Sequence, residues 1–170
     1  MMDQGFPPGA KGRKRTLVLD TSAILSGKPP SPEGVLYSPP AVVAEFEPGG
    51  RTRRQLDYML EAGLRVIEPT TASIGEAESA ATRTGDFPKL SEADIEVLAL
   101  ARDLHGGVVT DDYAIQNVAA AMKIPFQPVN QAGITEVVHW QYKCRGCGKA
   151  YQDLAKECNV CGSEVRAVKG

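Results

Sequence analysis

The chain has 170 residues, 42% of them hydrophobic and 24% charged, with a net charge of −2, the profile of one folded domain with a small appendage. No unbroken apolar run is longer than Val97 to Ala101, which falls far short of the roughly 20 residues that a membrane-crossing helix needs. Basic residues near the start are followed by no apolar segment of secretory type, so the expectation is a cytoplasmic protein without membrane or disulfide-scaffold character.

Residues 1–15 carry four basic side chains (Lys11, Arg13, Lys14, Arg15) against Asp3 and lack apolar periodicity, which predicts a mobile basic tail. Thr16–Asp20 (TLVLD) reads as a short strand buried on both faces. Val35–Tyr37 is a second strand, and Pro39-Pro40 opens a helix through Ala41–Phe46. Residues 51–62 place Leu56, Met59 and Leu60 on one helical stripe that stops at Gly63. Leu64–Glu68 alternates like a strand, and residues 72–84 are helical.

Ser91–His105 has the strongest helical pattern, with Ser91 as N-cap, Gly106-Gly107 beyond its end, and apolar residues around most of its circumference. Val108–Thr110 is a strand, Asp112–Met122 a helix, and further strands are expected near Phe126–Val129 and Glu136–Tyr142. Strands alternating with helices up to about residue 130 predict an α/β fold with a short parallel sheet flanked by helices. The expected units are a tail over 1–15, a body over 16–139 and a C-terminal module over 140–170.

All four cysteines fall in that last module. Cys144-Arg145-Gly146-Cys147-Gly148 is echoed by Cys158-Asn159-Val160-Cys161-Gly162, with ten residues between the pairs. Two CxxC pairs supply four thiolates for one tetrahedral zinc ion. The glycine after each pair lets the chain turn so that backbone N–H groups point at sulfur. Two disulfides are the alternative, and a reducing compartment disfavours them. So short a segment cannot build an adequate core, so the metal is expected to supply folding energy; four thiolates leave no open position for catalysis.

Residues 16–143 hold 10 basic and 17 acidic side chains. Asp20 ends one predicted strand and Asp111-Asp112 follow another; in an open parallel sheet both strand ends lie on the ligand-binding edge. Glu45 lies among Val42, Val43 and Phe46, and Asp94 in the first turn of the 91–105 helix. Each has a structural alternative: a turn acceptor for Asp20, a capping box with Ser91 for Asp94, an N-cap for Asp112, a solvated helix face for Glu45. As a set they need a partner, since two carboxylates about 4 Å apart repel by roughly 4 kcal/mol at an effective dielectric of 20. Hard divalent ions such as Mg²⁺ or Mn²⁺ relieve that repulsion.

Other chemistries lack support. There is no GxxxxGK[ST] or GxGxxG segment. The two histidines, His105 and His139, have no ligand or triad context. LVLDTS is similar to aspartyl-phosphate enzymes, but Ser22 stands where a second Asp is needed.

Four segments together resemble the PIN-domain nucleases: LVLDTSAIL, PPAVVAEF, LSEADIEVLALA and VVTDDYAIQNVA. With the doubled CxxC module they look like the NIN-one-binding subfamily, whose short archaeal form this chain matches in length. The resemblance implies a metal-dependent endoribonuclease that trims the 3′ end of precursor small-subunit ribosomal RNA within an immature ribosomal subunit, alongside assembly factors. It implies Asp20, Glu45, Asp94 and Asp112 as the Mg²⁺- or Mn²⁺-binding acids, with Asp111 as alternate or helper, and a zinc ribbon on Cys144, Cys147, Cys158 and Cys161. Water attack then leaves a 5′-phosphate and a 3′-hydroxyl.

Candidate RNA-binding residues are Lys11–Arg15, Arg51, Arg53 and Arg54, and Lys143, Arg145 and Lys149 around the first CxxC. Trp140 and Tyr142 either stack on bases or pack between the two modules. The competing functions are a non-catalytic RNA-binding assembly factor, a toxin-type PIN ribonuclease, and a small-molecule phosphohydrolase.

Overall fold

The computed structural model describes residues 14–28 and 34–170. Of the expected basic tail, only Lys14 and Arg15 belong to the described residues. Strand β1 (Arg15–Leu19) runs into helix α1 (Thr21–Leu25), followed by β2 (Gly34–Ser38), α2 (Pro40–Ala44), α3 (Arg51–Glu61) and β3 (Arg65–Val66). Helix α4 (Thr71–Thr84), α5 (Glu92–Asp103), β4 (Gly107–Val109), α6 (Tyr113–Ala121) and β5 (Phe126–Gln127) complete the body.

The five strands form one parallel sheet in the order β3-β2-β1-β4-β5. Leu17, Val18 and Leu19 are at most 1% exposed, because helices cover both faces of the central strand; that is why β1 is a continuous apolar run. Helix α5 is buried at Ala93, Ile95 and every position from Val97 to Ala101. Ser91 and Asp94 close its N-terminus as a capping box. The chain order reverses between β1 and β4, so the carboxyl ends of these two strands flank the crevice where such sheets bind ligands.

Two expectations change, and one helix has no counterpart in the sequence reading. Helix α1 follows directly on β1, because the Asp20 side chain caps it by accepting from the Ala23 N–H. Strand β3 shrinks to two residues at the exposed sheet edge. The strand expected over Glu136–Tyr142 begins only at Trp140 and belongs to a different sheet. Two buried amides of α6 explain the delay. Asn117 exchanges hydrogen bonds of 2.6 Å with both the N–H and the C=O of Val138, and Gln116 accepts from the Ile134 N–H at 3.0 Å. These side chains satisfy backbone groups that a strand partner would otherwise take.

The C-terminal module is a three-stranded antiparallel sheet, β7-β6-β8, with β6 (Trp140–Cys144) central, β7 (Ala150–Tyr151) and β8 (Val165–Lys169) beside it. Its own core is Tyr142, Cys144, Cys158 and Val165. Tyr142 is 1% exposed and its hydroxyl donates to the Gly85 carbonyl at 2.6 Å, so it packs between the modules and is not a base-stacking surface.

Gly85 is the hinge of this junction. It ends α4 at φ +77°, and a Cβ there would lie 2.2 Å from the Trp140 carbonyl oxygen. Both the left-handed backbone and the close approach require glycine. Gly85→Ala is expected to lower the melting temperature by several degrees, corresponding to about 2 kcal/mol or more, read by thermal denaturation of the full chain.

Candidate functional site

Asp20 stands at the switch between β1 and β4, 4% exposed. Its Oδ1 accepts from the Ala23 N–H at 2.8 Å and the Ser22 hydroxyl at 2.8 Å, and its Oδ2 accepts from the Thr110 hydroxyl at 2.5 Å. Leu19 pairs with Val109 in the β1–β4 register, so Thr110, one residue past that pair, falls beside Asp20. Burial pushes the Asp20 carboxyl above the usual range, the three donors oppose that shift, and the charge of Asp94 adds to it.

Asp94 is also raised, by burial first and then by the charges of Asp112 and Glu45, against the two Ser91 hydrogen bonds. The charges of these acids act on one another in pairs: Asp94 on Asp20, and Asp112 and Glu45 on Asp94. The structural alternatives hold at the same time. Asp94 accepts from the Ser91 N–H at 2.7 Å, and Asp112 Oδ1 accepts from the N–H groups of Ala114 at 2.7 Å and Ile115 at 3.2 Å. Glu45 caps the end of α2 and accepts from the Thr21 hydroxyl. Capping fixes the Asp20, Asp94 and Asp112 carboxylates at helix N-termini, whereas the Glu45 carboxylate is held by the Thr21 hydroxyl alone.

Asp111 is placed differently. It accepts from the Val129 N–H at 2.7 Å, and from the Asn130 N–H and side-chain amide at 3.0 Å. Burial favours its neutral form, but the hydrogen bonds from Asn130, Val129 and Gln131 outweigh that and hold the carboxyl below the usual range. Its oxygens tie down the 129–131 loop.

Sequence reasoning assigned no role to Thr110 or Ser22. Thr110 is fully buried and also accepts from the Asp112 N–H at 2.9 Å, joining two of the acids. Ser22 accepts from the Asp111 N–H at 3.1 Å. A hydroxyl immediately before a doubled acid at a strand end was the available signal.

Among the described residues, the cysteine quartet is the one group of three or more metal-type ligands whose atoms all lie within 4.8 Å of one another. Cys144 and Cys161 sulfurs are 3.4 Å apart, and those of Cys147 and Cys158 3.6 Å. Tetrahedral zinc with bonds of about 2.3 Å sets sulfurs about 3.8 Å apart, so the quartet fits such an ion. Gly148 and Gly162 adopt φ +74° and +73°. Gly146 and Val160 N–H groups donate to Cys144 and Cys158 sulfur at 3.3 and 3.4 Å. The Tyr151 hydroxyl donates to Cys158 at 3.0 Å and draws its thiol down to about 5, toward the thiolate a metal binds.

The acids are more widely spaced than the sulfurs. Among the described residues no three acids reach that spacing, and Mg²⁺, which keeps several waters and takes one or two carboxylates directly, does not require it.

Of the candidate RNA-binding residues, Arg51 and Arg54 are exposed on α3, while Arg53 pairs with Asp57 at 3.0 Å. Lys143 is exposed on β6. Arg145 lies 4.0 Å from Glu164, and Lys149 donates to Asn159 at 2.7 Å. Trp140 lies under the Lys89 ammonium, 3.7 Å from the ring centroid. No helix of the described residues is long and apolar enough to cross a membrane.

An open parallel sheet flanked by helices and followed by a four-cysteine module is the architecture of a PIN-type ribonuclease with a C-terminal ribbon. Residues 17–104 match the PIN domain of ribonucleases. The chain is 38% identical over 158 residues to Endoribonuclease Nob1 of Pyrococcus abyssi, an alignment covering 91% of this chain and 94% of that one. It is 40% identical over 159 residues to Endoribonuclease Nob1 of Archaeoglobus fulgidus, covering 89% and 91%. Ribonuclease VapC1 of Thermoplasma acidophilum is 39% identical over 149 residues, covering 88% of this chain and 76% of its own. The chain belongs to the PIN-domain ribonuclease family and is an endoribonuclease. The family implies use of a divalent metal.

Proposed function

We propose that this endoribonuclease cleaves precursor small-subunit ribosomal RNA near its 3′ end during ribosome assembly, with Asp20, Glu45, Asp94 and Asp112 holding Mg²⁺ or Mn²⁺ and Cys144, Cys147, Cys158 and Cys161 holding one structural zinc ion. The observation that carries it is the buried Asp20 carboxylate at the β1–β4 switch, coupled through Asp94 to Asp112 and Glu45. Relatives named Nob1 that align over nearly their whole length support the ribosomal substrate over other RNA.

A divalent ion bound by these acids supplies an activated water and neutralises charge on the attacking and leaving oxygens. The protein supplies position. Three donors hold Asp20 in one rotamer, and Thr110 links it to the backbone of Asp112. The two histidine rings meet the backbone carbonyls of Asp103 and Arg83, away from the acids. Neither is placed as general base for the ribose 2′-hydroxyl, which favours water as the nucleophile. Incubation with a precursor fragment and Mn²⁺ tests the reading. Discrete cuts near the mature 3′ terminus, with 5′-phosphate products, are expected. Uniform degradation of unrelated RNA would instead support the toxin-type ribonuclease that the VapC1 likeness suggests.

The acidic crevice repels phosphate, so affinity must come from the ribbon and α3. Replacing Lys143, Arg145 and Lys149 together by alanine is expected to weaken binding of all single-stranded RNA alike. The slope of log affinity against log salt should shrink by about one for each cation that no longer neutralises a phosphate, as measured by anisotropy titrations at several salt concentrations.

A further inference from the structure

Helix α3 turns one face to the core through Leu56 and Met59. On the opposite side Arg51, Arg54 and Tyr58 follow one another at steps of three and four residues, the spacing that lines side chains up along one helix face. The stripe is about 10 Å long at the rise of an α-helix. All three side chains are exposed, Tyr58 to 63%. Arg53, on the neighbouring face, is tied to Asp57 at 3.0 Å and donates to the Phe46 carbonyl at 3.5 Å. Among the described residues the Arg51 and Arg54 guanidinium groups have no ion-pair or hydrogen-bond partner, and no cation covers the Tyr58 ring.

The stripe starts close to Glu45. The Arg53 contact holds the first turn of α3 against Phe46, the residue after Glu45. Further along, the Gln55 side chain lies against Gly27, just past α1, the helix that Asp20 caps. Two free guanidinium groups and an open phenol ring in line are what an unpaired nucleic-acid strand needs: cations follow its phosphates, and an aromatic face stacks a base of any identity. A duplex meets the same cations but keeps its bases stacked inside, so it leaves the ring unused. A protein partner fits less well. The core of a protein interface requires further apolar side chains around its anchoring aromatic, and the next residue along this face, Ala62, is too small to build one.

We propose that the Arg51–Arg54–Tyr58 stripe is a binding track for one unpaired RNA strand, with the two guanidinium groups on phosphates and Tyr58 stacked on a base. The track rests on the ribonuclease reading above and adds to it a stacking residue, outside both the acids and the ribbon, that holds the strand on the Glu45 side of the site.

The zinc-loaded full chain, without Mg²⁺ or Mn²⁺, is titrated with uridine RNA decamers that carry one 2-aminopurine at each position in turn, single-stranded or annealed to their complement. Stacking on an aromatic ring quenches 2-aminopurine, so the wild type is expected to quench it at particular positions of the single strand. Tyr58→Ala should restore that emission and weaken single-strand binding by about tenfold, within the range for one stacked base, with the salt slope and duplex binding unchanged. Tyr58→Phe keeps the ring and should match the wild type. Arg51→Ala combined with Arg54→Ala should lower the slope of log affinity against log salt by about two, one for each phosphate contact. Wild-type affinity and quenching in Tyr58→Ala, which a protein-docking role of the stripe would also give, would overturn the track. So would an equal loss of duplex binding, or a phenylalanine variant as weak as the alanine one. Cleavage of the ribosomal precursor is scored separately. Cutting by a wild type whose binding is indifferent to Tyr58 removes the track alone, whereas Tyr58-dependent quenching without cutting removes the proposed cleavage and leaves the track.

Discussion

Asp20→Asn is expected to lower cleavage by about 10³-fold while RNA affinity stays the same or tightens. The side chain keeps its size and an oxygen for the Ala23 N–H, so the crevice keeps its shape. It loses the charge that a divalent ion needs, and it also removes a negative charge from the path of the phosphate. Single-turnover cleavage with Mn²⁺, paired with anisotropy titration, checks both halves. A variant that cuts at the wild-type rate would remove Asp20 from the metal-binding acids.

The same substitution has a stability signature of opposite sign. Burial holds the folded Asp20 carboxyl above 3.8, its ordinary value. Between that value and the folded one, the folded state binds the extra proton, so this group's contribution to stability falls as pH rises through the window. Asparagine cannot ionise and escapes that loss. At neutral pH and without added Mg²⁺ or Mn²⁺, Asp20→Asn is expected to melt higher than the wild type, the exchange of stability for function that buried catalytic charges show. Melting curves recorded from acid to neutral pH should separate progressively.

Cys158→Ser is expected to reduce bound zinc from one ion per chain to none and to unfold the ribbon while the body stays folded. The ribbon's core is four buried side chains, two of them cysteines, so little apolar burial remains without the metal. Structural zinc in small modules contributes about 10–16 kcal/mol of apparent binding free energy at neutral pH. The body has its own core across β1, β4, α4, α5 and α6. Metal analysis with limited proteolysis should find no zinc and rapid cleavage after about residue 139. The Trp140 emission should also shift, because its packing against Gly85 depends on a folded ribbon. A ribbon that resists protease without metal would contradict the zinc assignment.

Much of this fold was legible because its signals are local. The TLVL run, the Ser91 capping box and the apolar circumference of α5 each follow from neighbours within a few residues. The doubled CxxC pattern is equally local, and its glycines adopt the expected left-handed turns. The alternation over Glu136–Tyr142 misled because period two records only which side chains alternate. Whether a strand forms depends on a partner edge, and Asn117 and Gln116 took that place from a distant helix.

The chain alone therefore determined the α/β class and the four-cysteine cluster of its end, since composition, capping and ligand spacing act over short stretches. Only the tertiary structure decided that Asp111 secures a loop, that Thr110 and Ser22 orient Asp20, that Tyr142 is buried between modules, and that Asp86 is buried against Asn117. Those roles depend on which distant groups meet across the sheet edge and the ribbon junction, where hydrogen-bond donors and acceptors must be matched in space without regard to their order in the chain.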